Sequence, residues 1–356
     1  MVKPAESAFH ARIVPLWLPV TLSLVVLSIV AYFTVEPTTL VDLRRTRWGL
    51  LALAPVVLSL RVALGAWRLL YFSRDQLRFA GAIRAQLAWD FFSIITPSTV
   101  GGGPVAPAYI ARDSRIAVGD ATALILFAIL LDQIWFSISI VIVIISSLHV
   151  NLIPDSLGTI GTITFVLYGA GYMLWTLLFA YATFFRPQLL AAVIARIFSL
   201  PVLRRAKGRA LRVMVNLLNR ARVLRHQPAL FYVKGLLLTV LGWLCRYGLI
   251  VIILASMHTE LDYLLATLRT VTMMLGALVL PTPGGAGGVE ALFALILGPM
   301  MPQSVVAPAL LIWRLLAYYA FLVAGAFLTA HQVIRNASGA NVPAAANLNQ
   351  SASGPA

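Results

Sequence analysis

The sequence predicts an all-α polytopic membrane protein: six full spans plus two re-entrant helical hairpins, or eight spans if each hairpin counts as one, arranged as an inverted repeat. Three observations predict it. Hydrophobic residues make up 60% of the 356 residues and charged residues only 11%, too few charges for the surface of a soluble domain of this size. Six apolar runs exceed the ~18 residues that mark a membrane-crossing helix. One element, T-P-x-x-x-G-G, occurs twice, as TPSTVGG at Thr96–Gly102 and as TPGGAGG at Thr282–Gly288.

Taken in order, the first apolar run is Ile13–Val35. It carries Pro15 and Pro19 and has no small-x-small cleavage site before Glu36, so it reads as a retained span rather than a signal peptide. Trp48–Phe72 is the second span. Ala85–Ile95, ahead of the first motif, contains Asp90 and is too short to cross a ~30 Å hydrocarbon core, and Val105–Ile110 after the motif is shorter still. Ala121–Leu148 and Gly158–Phe185 follow as full spans. Leu230–Met257 and Val305–Gln332 complete the six. Between these last two, Leu264–Leu280 and Ala291–Leu297 flank the second motif.

The expected organisation is a membrane domain over residues 1–335. Its halves are 1–150 and 230–335, joined by a connecting span and basic segment over 151–229. Residues 336–356 are small, polar and uncharged, so a disordered tail is expected there.

The charge is uneven. The formal net charge is +15, and Arg186–Lys234 holds eleven Lys/Arg and no acid. The positive-inside rule places this segment in the cytoplasm. Within it Leu190, Val193, Ile194 and Ile197, then Leu211, Val215 and Leu218, follow helical spacing. Arg205, Arg209, Arg212 and Asn216 fall mostly on another face. The reading is a helix lying on the inner leaflet against anionic lipids. No folded nucleic-acid module is visible in it.

Counting outward from this segment puts both termini in the cytoplasm. The loop Val35–Arg47, with Arg44, Arg45 and Arg47, opposes that count. The same count brings the first hairpin in from the cytoplasm and the second from outside. Pro removes a backbone donor and Gly permits the turn, so each motif ends one half-helix and starts another. Unwound backbone at membrane depth is tolerated only inside protein or along a wet cavity. Two such interruptions in opposite-facing halves mark an inverted-repeat transporter with its site between them. Ile134-Trp135 and Ile312-Trp313, 38 and 30 residues after the two Thr residues, are a weaker parallel.

Several functions are disfavoured. A single cysteine, Cys245, rules out an intramolecular disulfide framework. None of His10, His149, His226, His258 and His331 pairs at metal-ligand spacing, and no phosphate-binding G-x-x-x-x-G-K-[ST] loop is present. The expectation is therefore no cofactor, no metal, no nucleic acid and no enzymatic activity. Ionisable residues inside spans are costly and are functional candidates by default. They are Arg61 and Arg246, with Asp90, Asp132, Arg269, Glu290 and Arg314 in or near the hairpins and the helices after them.

The expected site is a polar cavity built by both hairpins. Arg61, Arg246 and Arg314 would face an anionic head group, since a planar guanidinium binds phosphate oxygens bidentately. Half-helix N-termini at the Gly-Gly turns would add N–H groups. Two alternatives stand beside this. Glu290 with Arg314, or Asp132 with Arg246, would be purely structural ion pairs; or Glu290 or Asp132 would carry a coupling proton. Arg68 and Arg74 read as interfacial anchors, and Trp17, Trp48 and Trp67 as interfacial belt residues.

Two stretches, FFSIITPSTVGGGPVAPAYIARD and LGALVLPTPGGAGGVEALFALIL, resemble the signature regions of the flippase-like family, also named for the transmembrane region of lysylphosphatidylglycerol synthase. The resemblance covers roughly Ile13 to Gln332. The more specific motif is P-T-P-G-G-x-G-x-x-E at Pro281–Glu290, where Pro283, Gly284, Gly285, Gly287 and Glu290 match. Thr282 and Gly288 complete its Thr-to-Gly-Gly element, and Arg314 matches a basic residue in the following helix. In the first half Pro97, Gly101, Gly102 and Asp132 match, with Thr96 opening the motif. Gln133 stands where many relatives have Arg. Gly103-Pro104 and Pro107 stand where many have a further Arg.

The resemblance implies a bacterial inner-membrane protein that moves, or helps move, polar lipids between leaflets: anionic, polyprenyl-linked or hopanoid-type. The alternative is a non-transporting partner subunit of lipid-biosynthesis enzymes. The soluble aminoacyltransferase domain of the synthases is absent from the sequence, so synthesis of an aminoacylated lipid is not expected.

Overall fold

A computed structural model describes residues 44–74, 76–96, 102–114, 116–152, 158–184, 227–258 and 260–328, with isolated positions between 21 and 39 and at 186 and 196. The first expected span, most of the basic segment 186–234, the turn Pro97–Gly101 and the tail 336–356 lie outside the described residues.

Five stretches are long and apolar enough to cross a membrane: Trp48–Ser73, Val118–Ser147, Gly161–Ala182, Ala229–Met257 and Gln303–Leu328. They correspond to the last five of the six expected spans. A short turn at Trp48–Leu51 leads into α1 (Leu53–Ser73). It is followed by α2 (Phe79–Ile95), α3 (Gly102–Ser114), α4 (Val118–Ser147), α5 (Gly158–Phe184), α6 (Ala229–Met257), α7 (Tyr263–Ala277), α8 (Gly288–Ile296) and α9 (Gln303–Arg314). After α9 the chain makes a π turn over Leu315–Tyr319 and continues as helix to Leu328. The apolar composition drives this all-helical solution, because only a helix satisfies every backbone group of a lone span from within.

The half-helices around the first motif are longer than the sequence indicated. α2 begins at Phe79 rather than Ala85, and α3 spans Gly102–Ser114 rather than Val105–Ile110. At 1.5 Å per residue α2 still reaches only about 26 Å. α2 and α3 form an antiparallel hairpin: Arg84, early in α2, donates from Nε to Asp113 Oδ2 near the end of α3 at 2.9 Å, and its Nη2 lies 2.9 Å from the same oxygen. α7 and α8 form a second one, where Gly276 faces Leu292 and Arg269 Nη1 reaches Ile296 O at 3.4 Å.

The long helices α1 and α6 pack antiparallel against each other. Arg47 N donates to Ser256 O at 2.8 Å at one end, and Gly235 lies against Phe72 at the other. The two hairpins take opposite ends of this pair. One apolar core joins Ala66, Leu69 and Phe72 of α1 and Phe231 of α6 to Ala82 and Ala85 of α2, Ile110 of α3 and Leu124 of α4. The other joins Ala54 of α1 and Leu249–Ala255 of α6 to Met273, Phe293 and Leu310 of the second half. Each half thus reads span, hairpin, span: α1, α2–α3, α4, and α6, α7–α8, α9. Arg61 precedes Thr96 by 35 residues and Arg246 precedes Thr282 by 36.

The second turn meets the end of α2 in the middle. Gly284 has φ +59°, and a Cβ there would lie 2.7 Å from Tyr318 Cε2 and 3.0 Å from the backbone oxygen of Ile94 at the end of α2. A left-handed L-residue costs about 1–2 kcal/mol before any clash. Gly284→Ala is therefore expected to lower the unfolding midpoint in detergent by more than Gly242→Ala, whose Cβ would meet nothing within 4 Å. Equal midpoints for the two variants would mean that the second turn does not touch the end of α2.

Candidate functional site

Between α2, the second turn and the long spans lies a cavity of about 280 Å³. Its floor and walls come from both halves: Arg61 and Arg68 of α1, Gln86 and Asp90 of α2, Asp132 and Gln133 of α4, Trp243 and Arg246 of α6, Gly284 and Gly285 of the second turn, and Arg314 and Tyr318 of the last span. The charges sit midway along their spans. Arg61 is about 12 residues from either end of Trp48–Ser73, roughly 18 Å, and Asp132 is near the centre of Val118–Ser147.

Each charge is held by a specific neighbour. Arg61 pairs with Asp90 through a buried hydrogen bond, and Gln86, one turn earlier on α2, donates Nε2 to the other Asp90 oxygen at 3.1 Å. Arg68 Nη1 donates to Asp132 Oδ1 at 2.6 Å and to Thr239 Oγ1 at 3.3 Å. Trp243 Nε1 donates to the same Asp132 oxygen at 2.9 Å. Arg314 Nη2 lies 2.6 Å from Glu290 Oε2, with both side chains almost fully enclosed. Arg246 is held most loosely: its Nη2 stands 4.0 Å from Asp90 Oδ1, which Arg61 already occupies, and its side chain remains about one-third exposed. Its guanidinium lies 4.8 Å from the Trp243 ring centroid. Four guanidinium groups thus face three carboxylates, counting Glu290 behind Arg314.

Three expectations need correction. Arg68 is no interfacial anchor: it is 7% exposed and lines the cavity. Its position was legible, since it follows Arg61 by seven residues, two helical turns, and so shares its face. Asp132 pairs with Arg68 rather than Arg246, and the α6 residue that reaches it is Trp243. The second Gly-Gly turn does not offer a row of free N–H donors. Gly285 N donates to Thr282 O, Ala286 N to Pro283 O and Val289 N to Gly285 O, while Gly287 N donates to Glu290 Oε2 at 2.8 Å. Such a reach back from the third residue satisfies an orphan helix-end donor, so Glu290 caps α8 as well as pairing with Arg314.

Other expectations found a place. Thr96 ends α2 and Gly102 opens α3, while Pro97 and Gly101 lie outside the described residues. Thr282, Pro283, Gly284, Gly285, Gly287 and Gly288 form the second turn, where positive φ at Gly284, Gly285 and Gly287 requires glycine. Arg269 does not reach the cavity; its Nη2 donates to Asn151 O at 2.9 Å and so ties α7 to the loop after α4. Arg74 caps the end of α1, Trp48 and Trp67 are exposed, and Trp17 lies outside the described residues. Sequence reading missed Gln86, Trp243 and Tyr318, although each is three or four residues from a charge on the same helix face.

Membrane-length helices folded around two hairpins, with a charged cavity among them, define a multi-pass membrane protein with a polar site inside its helical bundle. The chain belongs to the lysylphosphatidylglycerol synthase TM region family, which it matches over residues 16–325. It is also 22% identical over 328 residues to a UPF0104 membrane protein of Archaeoglobus fulgidus, an alignment covering 89% of this chain and 97% of that one.

Proposed function

We propose that this protein moves polar lipids across the bilayer by taking their anionic head groups into the cavity between the hairpins. The observation that carries the reading is the excess guanidinium at Arg246, midway along α6 and open to the cavity. A charge at mid-membrane costs roughly 2.5–3.5 kcal/mol on insertion scales, and the other arginines offset that cost with close carboxylates. Arg246 does so least, so a phosphate is the partner its setting lacks. The hairpins occupy opposite ends of the α1–α6 pair, which supports re-entry from opposite membrane faces and an inverted repeat. In this reading the first hairpin opens toward the cytoplasm, where both termini lie, and the second toward the outside of a bacterial inner membrane. Arg61, Arg68, Asp90, Asp132, Arg246 and Arg314 form the head-group site, with Glu290 supporting Arg314 from behind. The protein carries lipid without catalysing a reaction, and the basic segment 186–234 rests on inner-leaflet anionic lipids.

The test is lipid scrambling in proteoliposomes containing phosphatidylglycerol, comparing wild type with Arg246→Ala. Wild type is expected to accelerate exchange between leaflets, and the variant to fall at least tenfold while eluting as a folded monodisperse species. Undiminished exchange by the variant would remove Arg246 from the site. Absence of exchange by wild type would favour the second role, a non-transporting subunit beside lipid-biosynthesis enzymes.

A further inference from the structure

The last span carries buried donors at the cavity that the ion pairs leave unused. Trp313 is 3% exposed, Arg314 4% and Tyr318 2%, and all three line the cavity. Trp313 Nε1, Arg314 Nε and Tyr318 Oη find no hydrogen-bond partner among the described residues. A buried donor left unmade costs about 1–3 kcal/mol, so three together at one cavity wall call for an acceptor. The local geometry holds them in place. The Arg314 guanidinium lies 5.3 Å from the Trp313 ring centroid and 4.9 Å from that of Tyr318. Trp313 in turn stacks on Phe293 at 5.5 Å. A guanidinium flanked by rings keeps its N–H edge for planar recognition of an oxyanion. The π turn at Leu315–Tyr319 shifts the helix register immediately after Arg314, and Tyr318 sits within it. Such single turns recur at functional sites.

We propose that Trp313, Arg314 and Tyr318 form a donor-only phosphate cradle at the second hairpin, a subsite for a phosphodiester oxygen distinct from the Arg246 end of the cavity. Its chemistry is asymmetric. Among its three unpartnered groups two are pure donors, the indole N–H and the guanidinium N–H, and the third is a phenol that donates to an anion. That composition takes a phosphate and rejects an ammonium group. The cradle rests on the reading of the cavity as a head-group site, but its test reads binding rather than movement.

The experiment uses Tyr318→Phe, which deletes the hydroxyl and keeps the ring, and Trp313→Phe, which deletes the indole N–H together with its five-membered ring. The full-length protein in detergent is titrated with dihexanoylphosphatidylglycerol and, separately, with inorganic phosphate, following the thermal midpoint. Without ligand Tyr318→Phe is expected to melt at or above the wild-type midpoint, since it loses a donor with no partner, whereas Trp313→Phe also leaves a core cavity and is expected to melt lower. Each is expected to bind dihexanoylphosphatidylglycerol about tenfold more weakly, as for a lost hydrogen bond to a charged group. Stabilisation of wild type by the lipid alone assigns a lipid phosphate; stabilisation by both probes assigns a general phosphate site. A lower midpoint of Tyr318→Phe without ligand, with unchanged lipid affinity, would show that the hydroxyl serves the fold and would overturn the cradle. So would wild-type affinity in both variants. Binding without scrambling would keep the cradle and remove the transport reading; scrambling with unaltered binding would do the reverse.

Discussion

Gly242→Leu is expected to leave the protein folded and to abolish lipid exchange. Gly242 lies on α6 and lines the cavity, and a Cβ there would meet nothing within 4 Å. Leucine therefore has room to enter without moving the backbone. It also removes a helix-interior glycine, worth about 0.8–1 kcal/mol relative to a good helix former. A four-carbon side chain one turn from Arg246 would occupy the space a head group needs, and would bring apolar surface against Trp243, Arg246 and Asp132. The measurement pairs a thermal melt with scrambling in proteoliposomes. An unchanged or raised midpoint with exchange reduced to the level of empty liposomes is the expected result. A variant that exchanges lipid at the wild-type rate would show that head groups pass elsewhere, along the protein surface or between copies.

The second large effect is on folding. Arg314→Met is expected to destabilise the protein by about 3–5 kcal/mol, the range for stranding one partner of a buried ion pair. Glu290 is fully buried and would keep a charge with no cation beside it. Adding Glu290→Gln should recover most of the loss. Glutamine retains a side-chain oxygen to accept from Gly287 N, and removing both charges of a buried pair is often close to neutral. Charge reversal of both residues is not expected to rescue, because an arginine at position 290 cannot accept that N–H. Chemical unfolding in detergent, with the yield of monodisperse protein, checks all four forms. A single Arg314→Met variant as stable as wild type would show that the pair is dispensable to the fold.

The contrast between these two variants separates filling the site from breaking its support. Glu290 illustrates why the distinction matters. It was read as a head-group or proton-carrying residue or else as the structural partner of Arg314, and its carboxylate is committed to the α8 N-terminus and to Arg314. It does not line the cavity, whereas Asp90 and Asp132 do.

Composition and local pattern alone were enough for the class of protein and for five spans. Apolar runs of that length have one solution in a bilayer, and the rule acts within each run. The repeated Thr-Pro-to-Gly-Gly element likewise located both half-helix breaks, since Pro and Gly act on their own backbone. The Glu290–Arg314 pair was also legible from the chain. What only the tertiary structure decided is which charges meet. Arg61 to Asp90 crosses from α1 to α2, and Arg68 to Asp132 from α1 to α4. Those choices depend on how antiparallel α1 and α6 set the hairpins at opposite ends, a matter of helix packing that no residue spacing encodes. The same packing left Arg246 with a carboxylate already taken. It also enclosed the Trp313, Arg314 and Tyr318 donors at the cavity wall, because burial is a property of the assembled bundle and not of any one helix.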